Sequence, residues 1–159
     1  MIKLGDMRLW HYELIKVLPN KQLTGQWREI SAIIGLINKF KNPNSLIVNK
    51  VVDYPLSDFI RYIKIVEKEM KKRGFATIQN PYEKIKILNE DYFNLKHYSK
   101  VILKNSIFKF WHTDRYLFQC IFNLQEKYDC GGISKQEWEK IKKFANKKLR
   151  NSEFKLIEI

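Results

Sequence analysis

Apolar side chains recur at helical spacing in four stretches of the chain. The first stretch follows Pro19-Asn20 and carries apolar residues three or four positions apart, namely Leu23, Trp27, Ile30, Ile34 and Ile37. Residues at this spacing lie on one face of an α-helix, so the stripe predicts a helix that packs inward. Asn20 can accept hydrogen bonds from free backbone N–H groups, and we predict it as the N-cap of a helix that runs to about Phe40.

A second helix is predicted from about Pro55. Its apolar side consists of Leu56, Phe59, Ile60, Ile63, Val66 and Met70. The stretch ends in Lys71-Lys72-Arg73-Gly74, where the cations suit the negative end of a helix dipole. Gly74 tolerates the left-handed conformation that commonly closes a helix, so we expect the helix to end there.

Two further helices are predicted near the C-terminal end. One runs from about Asp114 to Tyr128, with an apolar stripe formed by Leu117, Cys120, Ile121, Leu124 and Tyr128. Gly131-Gly132 interrupts it. The next helix starts at Ser134, because Ser134 and Glu137 have the spacing of a capping box. Its outward side carries cations that serve either as a solvated face or as phosphate contacts: Lys140, Lys142, Lys143, Lys147, Lys148 and Arg150.

Residues 80–112 have no single interpretation. Their apolar positions fit short strands, short helices or an ordered loop, and we predict only a less regular segment there. The chain has no internal repeat and no low-complexity linker. At 159 residues it is long enough to bury a proper core. We therefore predict an all-α or mostly α fold, a compact helical bundle that forms a single domain over residues 1–159.

The net charge of +13 indicates a polyanionic partner. It arises from 30 Lys and Arg against 17 Asp and Glu, a large excess for a chain of this length. DNA, RNA and an acidic membrane surface all meet this requirement, and a solubilising lysine-rich surface is the alternative. No apolar run approaches the roughly 20 residues that span a bilayer, so we expect no membrane association.

Cysteine and histidine usage indicates a cytoplasmic protein without a metal. Cys120 and Cys130 are the only cysteines, and no secretory signal precedes the first helix. His11, His97 and His112 are scattered and lack the spacing of metal ligands. We expect no metal site and no small-molecule cofactor, and Cys120 is expected in the core.

Arg28 and Glu29 on the first helix are the most informative charged pair. Glu29 shares a helix face with uncharged residues only: Gln22, Gly25, Gln26 and Ala32. On this pattern alone a solvated pair and a functional site are both open interpretations.

The surrounding sequence resembles the pyrimidine-dimer DNA glycosylases of the phage endonuclease V type. The similarity is carried by Met7-Arg8-Leu9-Trp10-His11, Leu14-Ile15, Leu18-Pro19 and Leu23-Thr24-Gly25-Gln26-Trp27-Arg28-Glu29. It returns in Lys72-Arg73-Gly74-Phe75 and, faintly, in Leu124-Gln125-Glu126-Lys127. Residues 7–40 thus correspond to the catalytic N-terminal segment and first helix of that family.

The resemblance implies a cofactor-free DNA glycosylase with abasic-site lyase activity. In such enzymes the α-amine of the chain attacks the sugar C1′ and forms a Schiff base. An α-amine has a pKa of about 7.7–8.0 against about 10.4 for lysine, so more of it is nucleophilic at neutral pH. Glu29 corresponds to the catalytic glutamate and Met7 to the start of the chain. The residues expected to contact DNA are Arg8, Arg28, Gln22, Trp27, His11 and Lys127, with the lysines of the fourth helix as additional cations. For His11 the alternative is a structural role as a partner of Glu13 or the backbone.

The chain departs from the family pattern at its start and at three arginine positions. The similarity begins at Met7, and we interpret residues 1–6 as a non-native leader, with Met7 as the true first residue. Leu9, Ala32 and Asn123 stand where family members have DNA-contacting arginines, so the lesion recognised is left open.

Three functions follow, in order of preference. The first is a repair glycosylase and abasic-site lyase acting on damaged pyrimidines in double-stranded DNA through the N-terminal amine and Glu29. The second is a non-catalytic nucleic-acid-binding protein on the same scaffold. The third is a protein-interaction module that docks a partner through its tyrosines: Tyr82, Tyr92, Tyr98 and Tyr116.

Overall fold

The regular elements of the described residues are all helices. This is a computed structural model, and it describes residues 7–39, 45–77, 81 and 106–150. Its elements are a 3₁₀ helix (Tyr12–Val17), α1 (Asn20–Lys39), α2 (Leu46–Val52), α3 (Leu56–Lys72), α4 (Asp114–Asp129) and α5 (Lys135–Leu149). The predicted all-α class is confirmed. The predicted leader, Phe40 and most of the segment 80–112 lie outside the described residues.

The apolar stripe of α1 is buried as predicted, but the start of the helix differs. Leu23 donates its N–H to the carbonyl of Pro19 at 2.9 Å, so Pro19 occupies the cap position and Asn20 is the first helical residue. The Asn20 side-chain oxygen instead accepts a hydrogen bond from Arg73 at 3.0 Å. Asn20 is therefore not the N-cap, because its capping atom is used to join α1 to the end of α3.

Gly74 closes α3 as the sequence predicts. Its φ of 78° is left-handed, and two backbone bonds complete the turn: Phe75 N–H to Met70 O at 2.9 Å and Gly74 N–H to Lys71 O at 3.0 Å. This pair of bonds is a Schellman motif. The turn also directs Arg73 toward the 3₁₀ helix.

Arg73 ties the end of α3 to the 3₁₀ helix and the start of α1. Its guanidinium donates to the carbonyl of Leu18 at 2.6 Å and to that of Lys16 at 3.1 Å. Nε of Arg73 donates to Glu69 at 2.8 Å, which holds the side chain in place. Carbonyls at the end of a short helix have no partner within it, and Arg73 supplies one.

The helices α4 and α5 pack against each other, and α5 also packs against the 3₁₀ helix. Ser134 and Glu137 make the predicted capping box at the start of α5. Tyr128 and Trp138 stack with ring centroids 5.4 Å apart across the turn between the two helices. Lys148, predicted on the outward side of α5, forms an ion pair with Glu13 of the 3₁₀ helix and is half-buried. This correction removes one cation from the predicted basic face.

Two helices and one turn were not predicted. The 3₁₀ helix and α2 are six and seven residues long, too short for an apolar period to stand out. The turn before α4 contains Phe108, which is fully buried at a φ of 53°, while its N–H donates to Asp58 at 3.0 Å. Within the described ranges, no helix is long and apolar enough to cross a membrane.

Candidate active site

The segment before the 3₁₀ helix is held by side chains from three helices. Residues 7–11 belong to no helix or strand, so their backbone groups need other partners. Gln26 of α1 accepts from Trp10 N–H at 2.8 Å and donates to Arg8 O at 3.0 Å. Tyr62 of α3 donates to Trp10 O at 2.7 Å, and Tyr116 of α4 donates to Leu9 O at 2.6 Å. The segment is thereby fixed against the bundle.

Glu29 meets this segment at its first residues. The backbone N–H of Arg8 donates to the Glu29 carboxylate. Gln26 Nε2 lies 3.4 Å from Glu29 Oε2 and supplies a second, longer contact. Consecutive backbone nitrogens are less than about 4 Å apart, so the nitrogen of Met7 lies in the immediate neighbourhood of the carboxylate. Of the predicted site residues, Met7, Arg8 and Glu29 are brought together.

Burial raises the pKa of Glu29 from 4.5 to about 7. The hydrogen bond from Arg8 N–H and the positive charges of Arg8, Arg28 and Lys127 act in the opposite direction without cancelling it. Loss of hydration disfavours the ionised carboxylate, and the donors and cations favour it. A carboxyl group with this pKa exists in both protonation states near neutral pH, as proton transfer in either direction requires.

Three cations influence Glu29 from two helices and the N-terminal segment. The Arg8 guanidinium lies over the Trp10 ring, 4.8 Å from its centroid, and is half-buried. Arg28 on α1 and Lys127 on α4 are exposed. A Cβ atom placed on Gly25 would lie 3.9 Å from Nη2 of Arg28, so this guanidinium lies close to the Gly25 backbone. The arrangement combines a poorly hydrated carboxyl group with exposed positive charge.

The other predicted DNA contacts lie deeper in the protein. Trp27 is 5% exposed and belongs to the core. Gln22 is half-buried, and its side-chain oxygen is buried without a hydrogen-bond partner. His11 is 2% exposed. Direct DNA contact by Trp27 and His11 stays a prediction, and their burial does not support it.

His11 and His112 join the N-terminal segment to the turn before α4. His11 Nε2 donates to the carbonyl of His112 at 2.9 Å, while its Nδ1 accepts from Glu13 N–H at 3.2 Å. His112 Nδ1 accepts from Tyr12 N–H at 3.1 Å. Burial lowers the pKa of both histidines, and both rings are neutral at pH 7. Among the residues that the structure describes, no group of His, Cys, Asp or Glu is arranged to hold a metal ion.

The sequence did not identify Gln26, Tyr62 and Tyr116 as parts of this site. Gln26 was placed on the same face as Glu29, but helical spacing does not show that it contacts the segment 16 residues earlier. Tyr116 was predicted as an exposed docking residue. Instead it is partly buried with its hydroxyl bonded to Leu9, which is a correction. Tyr82, Tyr92 and Tyr98 lie outside the described residues.

The fold and the site define a helical protein with a desolvated carboxyl group beside its N-terminal segment. A family model described as pyrimidine dimer DNA glycosylase matches residues 7–82, just under half of the chain. The resemblance predicted from the sequence is confirmed over this segment, which contains Glu29 and every residue of the N-terminal segment. Over this segment the chain is similar to that family. No curated protein and no solved structure matches the chain.

Proposed function

We propose that this protein is a DNA glycosylase and abasic-site lyase that acts on damaged pyrimidines in double-stranded DNA. The α-amine of Met7 is the nucleophile, and Glu29 is the catalytic carboxyl group. The observation that carries the proposal is the hydrogen bond from Arg8 N–H to Glu29, since it places the neighbouring nitrogen of Met7 beside a carboxyl group with a pKa of about 7.

The chemistry uses Glu29 first as a negative charge and then as a proton acceptor. The neutral amine attacks C1′ of the sugar, the bond from C1′ to the base breaks, and the base leaves with that electron pair and takes up a proton. The ionised carboxylate stabilises the positive charge on the sugar during this step. Transfer of an amine proton to O4′ of the sugar, with breakage of the C1′–O4′ bond, opens the ring and gives a Schiff base. Removal of a proton from C2′ then allows the 3′ phosphate to leave, and Glu29 is the group that accepts this proton.

The cations around Glu29 suit a phosphate backbone. Arg28 presents an exposed guanidinium, which can bind a phosphate through two parallel hydrogen bonds. Lys127 adds an exposed charge from α4. Both raise the local concentration of DNA, and their positive charge also favours the ionised form of Glu29.

The proposal requires a chain that starts at Met7. The family match begins at the same residue. Arg8 follows it, and the aminopeptidase that removes initiator methionine acts before small side chains, so Met7 is expected to be retained. With six residues in front, the nitrogen of Met7 is an amide and has no nucleophilic lone pair.

The decisive experiment is borohydride trapping on an oligonucleotide with one abasic site. Protein that starts at Met7 is expected to form a covalent adduct, and protein that starts at Met1 is expected to form none through Met7. Glu29→Gln should slow strand cleavage by roughly 100-fold or more while DNA affinity stays within about threefold. Glu139→Gln, on the exposed side of α5, is the matched control and should cleave at the normal rate.

Lack of an adduct from the Met7 protein, together with retained DNA binding, would overturn the enzymatic proposal. That result would favour the non-catalytic binding protein instead. Mass spectrometry of the natively expressed protein tests the chain start directly, and a first residue other than Met7 would contradict this part of the proposal.

A further inference from the structure

Gln26 is the polar side chain that contacts both Glu29 and the N-terminal segment of the proposed site. It is fully buried, and its amide has four hydrogen-bonding neighbours. The oxygen accepts from Trp10 N–H at 2.8 Å and from the Tyr62 hydroxyl at 2.9 Å. The nitrogen faces Arg8 O at 3.0 Å and Glu29 Oε2 at 3.4 Å. An amide has two lone pairs and two N–H donors, so its full capacity is used.

The neighbours fix the direction in which this amide points. If the amide were rotated by half a turn, its NH₂ group would face Trp10 N–H, which is also a donor. Its oxygen would then face Arg8 O and Glu29, which are also acceptors. The observed orientation is therefore the one that Trp10, Arg8 and Glu29 favour, and the Tyr62 hydroxyl fits it as a donor. A donor is always directed at Glu29, and a second donor is always directed at the backbone of the N-terminal segment.

Tyr62 holds the amide in place from α3. Its hydroxyl carries one proton, which is shared between Trp10 O at 2.7 Å and Gln26 Oε1 at 2.9 Å. The ring is completely buried, and burial raises the pKa of Tyr62 well above its usual value, so the hydroxyl stays a donor over the whole working range of pH. Tyr62 thus links α3 to both Gln26 and the segment.

We propose that Gln26, held by Tyr62, is a positioning residue that sets the distance between the Met7 amine and the Glu29 carboxylate. This inference rests on the proposed function. The Gln26 amide contacts the backbone on both sides of Leu9 and also contacts the Glu29 carboxylate. Movement of either the N-terminal segment or the carboxylate therefore requires this buried amide to move. Reactions that depend on such alignment lose about 100-fold in rate for a displacement near 1 Å.

The first test replaces the Gln26 amide by an uncharged apolar side chain. In Gln26→Leu, the trapping rate at saturating abasic DNA should fall by roughly 10- to 100-fold, with DNA affinity within about threefold of the parent protein. Tyr62→Phe keeps the ring and should lower the same rate by a smaller factor. Tyr54→Phe is the matched control: its buried hydroxyl also bonds to backbone, at Phe110, away from the segment, and its trapping rate should stay unchanged.

The second test uses Gln26→Glu, which keeps the shape and the acceptor oxygen. A carboxylate beside Glu29 disfavours ionisation of Glu29 and raises its pKa. In Gln26→Glu the acidic side of the pH profile of the trapping rate should therefore move to higher pH by about one unit or more. In Tyr62→Phe it should stay near its original position. A merely structural role of Gln26 would lower the amount of folded protein without moving this side of the profile.

The two proposals fail in distinguishable ways. If the parent protein forms an adduct and Gln26→Leu traps at the parent rate, the inference on Gln26 is overturned and the proposed function stands. If the parent forms no adduct, the proposed function fails. Titration of a ¹³C-labelled Glu29 carboxyl by NMR in the DNA-free protein then still tests the contact: its pKa should rise in Gln26→Leu, and an unchanged pKa would overturn the inference as well.

Discussion

Polar groups are buried in the N-terminal site but exposed to water on the outer face of α5. Around the N-terminal segment, polar groups are withdrawn from water and bonded to one another: Gln26 and Tyr62 are fully buried, and Glu29 is largely desolvated. On the outer face of α5 the cations are exposed, with Lys148 as the half-buried exception, and Glu139 pairs with Lys142 at 2.9 Å. The stability of a buried polar group depends on one particular hydrogen-bond partner. Exposed charges act through their summed field, so the loss of one has a small effect.

The exposed cations of α5 form a stripe. Lys140, Lys143, Lys147 and Arg150 are spaced by three, four and three residues and therefore follow one side of the helix. At 1.5 Å per residue the stripe is about 15 Å long. One DNA strand carries a phosphate every 3.4 Å along the axis, so the stripe matches the length of about four phosphates. Phosphate contact by α5 stays a prediction.

The largest effect on stability is expected at Arg73, whose partly buried guanidinium joins the end of α3 to the 3₁₀ helix. Arg73→Ala leaves the carbonyls of Leu18 and Lys16 without their donor and leaves Glu69 unpaired. Removing hydrogen bonds to a charged group lowers the free energy of unfolding by about 3 kcal/mol. Urea unfolding measures this change. Arg73→Lys should recover little of it, because one ammonium group cannot reproduce the planar fork.

The matched control for Arg73 is Lys71 on the same helix. Lys71 pairs with Glu67 at 2.8 Å, but its side chain is 62% exposed. Lys71→Ala should change the free energy of unfolding by less than about 0.5 kcal/mol. Equal decreases in the free energy of unfolding for Arg73→Ala and Lys71→Ala would show that burial does not determine how much these charges contribute to stability. The contrast between buried and solvated groups would then be wrong.

The next effect concerns DNA affinity and tests the stripe. Replacing Lys140, Lys143 and Lys147 by Gln together should weaken DNA binding by roughly 10- to 100-fold at moderate salt. The slope of log affinity against log salt should fall by about 0.9 for each phosphate that is no longer neutralised, or nearly 3 in all. The corresponding Lys→Arg triple variant should bind normally. A slope that stays at the parent value would show that the stripe is only a solvated surface.

A smaller effect is expected from the pH dependence of Glu29. Its pKa is raised from 4.5 to about 7, so the folded state binds more protons than the unfolded state between these values, and stability falls as pH rises through this window. The full shift corresponds to about 3 kcal/mol, and residual hydration reduces it to roughly 1–2 kcal/mol. Glu29→Gln should therefore stabilise the protein at pH 8 and change little at pH 4. Urea unfolding at both values measures the difference, and an equal effect at both would contradict the raised pKa.

The sequence predicted helices and cations better than it predicted tertiary hydrogen bonds. The stripe of α1, the glycine cap of α3 and the capping box of α5 depend on neighbours three to six residues away, so spacing alone was sufficient. The partners of Arg8 and Trp10 come from Gln26 and Tyr62, and the latter is 52 residues beyond Trp10. His11 was predicted either as a DNA contact or as a structural partner of Glu13 or the backbone, and its Nδ1 does accept from Glu13 N–H at 3.2 Å. The fold also turns its ring toward His112, 101 residues away, which no local pattern indicates.

The smallest effect on stability is expected at the cap of α5. The variant also tests whether α5 and the N-terminal site are independent of each other. Ser134 accepts from Glu137 N–H at 3.2 Å, and Ser134→Ala removes this bond. The free energy of unfolding should fall by about 1 kcal/mol, whereas Ser134→Gly should lower it by only a few tenths of a kcal/mol. The trapping rate and its pH profile should be unaffected in both variants, because Ser134 has no part in the hydrogen bonds among Gln26, Tyr62 and the N-terminal segment. A shifted pH profile in Ser134→Ala would mean that α5 influences Glu29 through the 3₁₀ helix on which it rests, and the contrast between a buried site and an independent charged face would no longer hold.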